Sequence, residues 1–346
     1  MSASKTAVPV TLGLMTWGSE GAEMARVHDV KDCEKMLDIC LQHGHNEVDT
    51  ALIYGHGSSE EYLGKIDWKS RNVVVDTKLA PGNYDGRDVK FTLDSIRKWM
   101  DVQLKAIGTD SLDMWYLHMP DTSTPLTETL EAVNTLYEEG KFKRFGISNY
   151  AAWQVTAMFH IADKNGWVKP TAYQGIYNAL HRLVEPELFP VLRAYGLSFY
   201  AYNPLCGGFF TGQVKRDAEV EKGSRFDPER KQGKNYRDRY LNDQYYQALE
   251  LVQPVATKHG LTLPEIAFRW VSHHSLLSRD KGDNILIGAS SIKHLEANLA
   301  DLEKGELPEE VVKTLDEAWE IVKPVAMQVG FSFSAPILSV PEPTYA

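Results

Sequence analysis

Four chemically active residues close short apolar runs or follow them at once. Asp49 ends Glu47-Val48-Asp49, and Tyr54 comes five residues later in a glycine-rich loop. Lys78 ends Val73-Val74-Val75-Asp76-Thr77-Lys78. His118 ends Met114-Trp115-Tyr116-Leu117-His118, and Pro120 opposes further extension. Singly, each has an ordinary use: a turn cap, a rim aromatic, a charge leaving a strand, a core histidine bonded to backbone. As a set they place an acid, a phenol, an ammonium and an imidazole at one end of three successive strands. A phenol, with a pKa of ~10, is a poor proton donor near neutrality. A nearby ammonium favours the phenolate and lowers that pKa. A carboxylate would hold the ammonium in place, and an imidazole could orient a substrate oxygen. Such a donor suits a developing alkoxide. The matching reaction is hydride delivery to a carbonyl carbon, with the hydride drawn from a cofactor because no side chain supplies one.

These residues need strands that end together. Apolar or β-branched runs recur at 10–17, 47–51, 73–78, 112–118, 144–148, 172–177, 197–203 and 285–287. Between them lie segments of helical period, at 94–104, 127–138, 153–164, 186–195, 243–259 and 291–302. Eight strands alternating with helices predict an α/β fold, a parallel (β/α)8 TIM barrel with its site at the C-terminal face of the strands. A doubly wound sheet would want a G-x-G-x-x-G turn after the first strand. Gly13, Gly18 and Gly21 do not follow that order. The barrel domain is expected over 1–327, with a long irregular loop at 205–240 after strand seven. An extended arm is expected at 328–346.

Composition narrows the partners. The chain has 346 residues and a formal net charge of −10, which argues against nucleic acid or an anionic membrane as a partner. Cys33, Cys40 and Cys206 form neither a disulfide framework nor a zinc knuckle, and the first two read as core residues of a helix. No run approaches the ~20 apolar residues of a membrane span, and the first ten residues lack a signal-peptide core. The expected location is the cytoplasm. His273-His274 has no carboxylate or cysteine at ligand spacing, and no metal is expected.

The motifs have a family likeness. Asp49-Thr50-Ala51-x-x-Tyr54, Thr77-Lys78, Leu117-His118, Gly146-Ile147-Ser148-Asn149 and Tyr173-Gln174 resemble the aldo-keto reductase superfamily. Gln174-Gly175-x-Tyr177-Asn178-Ala179 and Phe199-Tyr200-Ala201-Tyr202-Asn203-Pro204-Leu205-x-Gly207-Gly208 are similar to patterns of its aflatoxin-aldehyde reductase group. The likeness runs from about Thr11 to about Lys323. It implies that Tyr54 is the proton donor, Lys78 its pKa depressor, Asp49 the partner of Lys78 and His118 the ligand of the substrate oxygen. It also implies that Ser148, Asn149 and Gln174 hold a nicotinamide carboxamide, that Tyr202 stacks on the nicotinamide ring, and that Thr16 and Trp17 line the cofactor site. Asn203, Leu205 and Gly207 belong to the same cofactor-side pattern.

After strand eight, Ser290 or Ser291 reads as the cap of a helix whose N-terminus is a ready anion site. Ser290, His294 and Asn298 share one stripe of it. The resemblance implies that this stripe binds the adenosine and 2′-phosphate of NADPH (NADP+), with Arg225 reaching the phosphate. Gln213 and His294 depart from the residues common in relatives, and the C-terminal arm lacks the group's terminal arginine. The resemblance also implies that Tyr236 and Arg239 line, with His118, a pocket for aldehydes bearing an acidic group, and a guanidinium suits both oxygens of a carboxylate. The expected partner is thus a small-molecule carbonyl compound, and the resemblance implies a homodimer. The alternative is a non-catalytic NADP(H)-sensing regulatory subunit on the same barrel, which four intact mouth residues do not exclude.

Overall fold

The computed structural model describes residues 5–216, 220 and 222–327. Eight parallel strands close on one another: β1 (Val10–Gly13), β2 (Glu47–Asp49), β3 (Val74–Leu79), β4 (Leu112–Leu117), β5 (Phe142–Ser148), β6 (Ala172–Ile176), β7 (Ser198–Tyr202) and β8 (Asn284–Ile287). Each pairs with its sequence neighbours, and β8 returns to β1 through Val10↔Ile285 and Thr11↔Leu286. This is the expected (β/α)8 barrel. The expected arm at 328–346 lies outside the described residues.

Side-chain alternation along the strands divides two environments. In β3, Val75 and Thr77 face the helices, whereas Asp76 and Lys78 face the barrel interior. The interior carries Met114, Tyr116, Ala172, Tyr200 and Leu286, all buried. Tyr116 and Gly146 are register partners on β4 and β5, and a Cβ on Gly146 would lie 2.3 Å from the Tyr116 ring. Glycine is needed there because the phenol ring occupies the space of a side chain.

Outside the strands run α1 (Val30–Gln42), α2 (Ser58–Gly64), α3 (Leu93–Ile107), α4 (Leu126–Glu138), α5 (Ala152–Asn165), α6 (Leu188–Tyr195), α7 (Lys231–Tyr240), α8 (Asp243–Lys258), α9 (Leu263–His273), α10 (Ile292–Leu302) and α11 (Glu309–Val322). Local chemistry sets several starts. Asp29 caps α1 through Lys31 N, Thr262 caps α9 through Glu265 N, and Ser291 caps α10 through His294 N. Cys33 and Cys40 are sealed on the inner face of α1, as its helical period required.

Two local expectations need correction, and a hairpin adds to the elements read from the sequence. β1 stops at Gly13, and the chain then turns so that Trp17 bridges to Val27. A short hairpin, Gly82–Tyr84 with Arg87–Val89, follows β3. Among the described residues the stretch 205–240 is irregular only in part: a 3-10 turn spans Cys206–Thr211 and α7 occupies its end. α7 lacks a Leu/Ile/Val stripe. It is held by Tyr236 and Tyr240, whose rings lie 6.0 Å apart and pack on Phe226 and Phe209, so aliphatic period could not reveal it.

Candidate active site

Asp49, Tyr54, Lys78 and His118 meet at the C-terminal mouth of β2, β3 and β4. Lys78 is fully buried, and its Nζ lies 2.5 Å from Asp49 Oδ1 and 2.9 Å from Thr50 O. The same ammonium sits over the Tyr54 ring, 5.1 Å from its centroid. Tyr54 and His118 meet edge to face, with centroids 5.9 Å apart and planes at 88°. Tyr54 is placed by a tight turn in which Gly55, His56 and Gly57 all have positive φ. That left-handed run explains the glycines around it. Arg87 Nη2 from the hairpin clamps the turn by donating to His56 O at 2.8 Å.

The electrostatics assign distinct states. Burial, and then the Lys78 ammonium, hold the His118 imidazole well below its usual range, so it is neutral near pH 7. Its Nδ1 is buried with no hydrogen-bond partner among the described residues. Burial, then the Asp49 carboxylate, push the Tyr54 phenol well above its ordinary value, with Arg225 acting in the opposite direction. Tyr54 is therefore a protonated phenol at the mouth.

The expected nicotinamide-side residues converge on this set. Gln174 Nε2 donates to Asp49 Oδ2 at 2.8 Å. Asn149 Nδ2 donates to His118 O at 2.9 Å and to Ser148 Oγ at 3.0 Å, while its Oδ1 accepts from Tyr202 Oη at 2.8 Å. Asn149 and Asn203 leave β5 and β7 in the left-handed region, with φ of 64° and 60°, a conformation asparagine tolerates. Asn203 Oδ1 accepts from Tyr236 Oη at 3.1 Å. Arg225 and Arg239 both lie over the Tyr236 ring, at 5.4 and 5.7 Å. Gly207 is pressed beneath it, where a Cβ would come within 2.3 Å of the ring, and Leu205 is half-buried just before the 3-10 turn.

A second group is separate. Ser290 Oγ, just before the cap of α10, and His294 Nδ1, in its first turn, are 3.0 Å apart and exposed, whereas Asn298 on the same stripe is buried. Thr16 Oγ1 donates to Ala289 O at 2.7 Å and so ties the turn after β1 to the end of β8. Thr16 and Trp17 are both sealed, so neither presents side-chain surface to the mouth. Trp115 is also sealed, stacked on Phe142 outside the barrel strands.

Two buried acids were not singled out from the sequence. Glu60 of α2 accepts from Thr77 Oγ1 at 2.5 Å and from Gln103 Nε2 at 2.8 Å, directly behind β3. Burial pushes it up to about 7. Asp76 is fully buried and shares the inward face of Lys78. Its position two residues before Lys78 was the available signal.

Comparison with known proteins gives a consistent likeness. The aldo/keto reductase family profile matches residues 9–320. An aldo-keto reductase of Pseudocercospora fijiensis is 49% identical over 289 residues, covering 83% of this chain and 97% of its own. The aldo-keto reductase pigE of Monascus ruber is 46% identical over 330 residues, covering 93% and 96%. Human aflatoxin B1 aldehyde reductase member 2 is 40% identical over 311 residues, covering 87% and 85%.

Proposed function

The chain belongs to the aldo/keto reductase family, and we propose that it is an NADPH-dependent reductase of aldehydes or ketones in which Tyr54 protonates the substrate oxygen. The observation that carries this reading is the sealed Lys78, held by Asp49 and lying over the Tyr54 ring. Of the groups at the mouth, the neutral His118 has one N–H for a hydrogen bond, and Lys78 is shut off from a substrate. Tyr54 is left as the group that both reaches the mouth and holds a transferable proton. Lys78, over its ring, and Arg225, the charge that opposes its raised pKa, are the cations placed to favour its phenolate as that proton leaves.

The residues fit a nicotinamide cofactor. Gln174 gives one N–H to Asp49 and retains its Oε1 and a second N–H, which with Ser148 and Asn149 suit a carboxamide. Tyr202, fixed through Asn149, offers a ring face. The guanidinium of Arg225 pairs with no carboxylate among the described residues and rests on an aromatic ring, available to a phosphate. Ser290 and His294 stand exposed at a helix start, which suits an anion. When bound, the cofactor supplies the hydride that no side chain can. The chain's own work is to orient the carbonyl with His118 and deliver the proton from Tyr54. Tyr236 and Arg239 would hold a carboxylate at the far end of the substrate.

Turnover of a panel of aldehydes and ketones, including succinic semialdehyde, tests the reading against Tyr54→Phe. Loss of a general acid removes ~10²–10⁴-fold in kcat. A variant that reduced good substrates as fast as the parent would refute the assignment. A parent that bound NADPH but turned over nothing would favour the sensing-subunit alternative.

A further inference from the structure

Asp76 is a carboxyl group with no donor among the described residues. It lies inside the barrel, 0% exposed, and neither of its oxygens has a hydrogen-bond partner among the described residues. Its register partner on β2 is Asp49, the carboxylate that holds Lys78. Toward the floor of the barrel lies Glu47, two residues before Asp49 on the same strand face. Glu47 already accepts from Arg144 Nη2 (3.1 Å), Tyr200 Oη (3.2 Å), Thr11 Oγ1 (3.2 Å) and Asn284 Nδ2 (3.0 Å). Asp76 thus stands between two carboxylates whose donors are committed elsewhere. The hydroxyl of Tyr116 and Oδ1 of Asn284 are also buried and unpartnered. A buried carboxyl set between two carboxylates is relieved by carrying its own proton. Burial, then Glu47 and Asp49, push Asp76 well above the usual carboxylate range, with Arg144 the opposing charge.

We propose that Asp76 is a positioning residue that carries protons from the floor of the barrel to the Asp49–Lys78 pair, restoring to Tyr54 the proton it donates at each turnover. The proposal rests on Tyr54 being the proton donor. Reduction of a carbonyl takes one proton from water per cycle. Lys78 is 0% exposed and cannot draw that proton from solvent directly. The floor is wet: Glu47 is 14% exposed and Arg144 41%.

The transfers balance without redox change. Tyr54 O–H breaks and the substrate alkoxide gains the proton. A Lys78 N–H breaks and the Tyr54 O–H reforms. Asp76 O–H breaks, and its proton passes through Asp49 to the Lys78 amine. Glu47 then passes a proton taken from solvent to Asp76. The charged and titratable groups facing this path are Glu47 and Asp49 from β2, Lys78 from β3, Tyr116 from β4, Arg144 from β5 and Tyr200 from β7.

The test is rapid mixing of the NADPH-loaded enzyme with an aldehyde that the parent reduces, in weak buffer with a pH-indicator dye. NADPH absorbance reports hydride transfer, and the dye reports proton uptake. Asp76→Asn keeps a neutral group of the same size but cannot release a proton. The first hydride transfer and KM should stay within about twofold of the parent, while proton uptake slows at least about tenfold. Uptake that keeps pace with the parent overturns the proposal, and so does a hydride step slowed as much as uptake. If Tyr54→Phe is inactive while Asp76→Asn takes up protons normally, the path fails and the donor assignment stands. If Tyr54→Phe is fully active, the donor assignment itself fails. Should Asp76→Asn not fold, infrared difference spectra of a Glu60→Gln background in H2O and D2O decide instead. A deuterium-sensitive carboxylic-acid C=O band at mildly alkaline pH is expected, and its absence overturns the proposal.

Discussion

The Nζ of Lys78 lies 2.5 Å from Oδ1 of Asp49, with side-chain exposures of 0% and 3%. An ion pair sealed to this degree is costly to break from one side, because the survivor keeps an uncompensated buried charge. Lys78→Met should therefore cost about 3–5 kcal/mol in chemical denaturation. The double variant Lys78→Met with Asp49→Leu should recover much of that loss and none of the activity. Equal instability of the single and double variants would show that the pair is not the cause.

Gly146 faces the ring of Tyr116 across β4 and β5. Gly146→Ala forces a Cβ to 2.3 Å from that ring and should destabilise by about 1–3 kcal/mol. Adding Tyr116→Leu should relieve most of this. Denaturant midpoints of the two variants decide, and no relief in the double variant would locate the clash elsewhere.

Glu60 has a folded pKa near 7, raised from the usual 4.5 by burial. A raised acid stabilises below its unfolded pKa, and this stabilisation is lost as pH climbs through the folded value. Glu60→Gln should thus gain stability relative to the parent on going from about pH 4 to about pH 8, on the order of 3 kcal/mol at most. A pH-independent difference between the two proteins would contradict this.

His118 is held neutral by burial and by Lys78. The unfolded imidazole binds a proton below about pH 6.5 while the folded one does not, so this group's contribution to stability falls as pH drops through that value. Its NMR resonances should not titrate between about pH 5 and pH 8. A midpoint near 6.5 in the folded protein would place the ring in contact with water.

Arg225 and the Ser290–His294 stripe make separable predictions for the cofactor. Fluorescence titration should give tighter binding of NADPH than of NADH. Arg225→Ala should weaken NADPH by roughly 1.5–3 kcal/mol, as expected for loss of a charge-assisted hydrogen bond. His294→Ala should weaken NADPH more than NADH. A parent that prefers NADH would overturn the phosphate assignment.

Much of this architecture was visible in one dimension. Strand period and chain-end chemistry are local, so β2 through β8 fall within a few residues of the apolar runs that announced them. Asp49, Lys78 and His118 were recognisable because polar residues closing buried strands of a barrel share one face of it. α7 escaped because it is held by aromatic stacking rather than by an aliphatic stripe. Glu60 escaped because its partners, Thr77 and Gln103, sit 17 and 43 residues away on other elements.

Residue type and period pointed to a parallel barrel with an acid, a phenol, an ammonium and an imidazole at its mouth, because both follow from the two-residue alternation of strands and the chemistry of their last residues. Only the closed barrel decided which charges meet. Gln174 bonds to Asp49 across 125 residues, and Asp76 falls between Asp49 and Glu47 with no hydrogen-bond donor among the described residues. Those meetings depend on register and stagger between strands. These are set by closure of the whole sheet and by ring-sized gaps such as Gly146, not by any strand's own sequence.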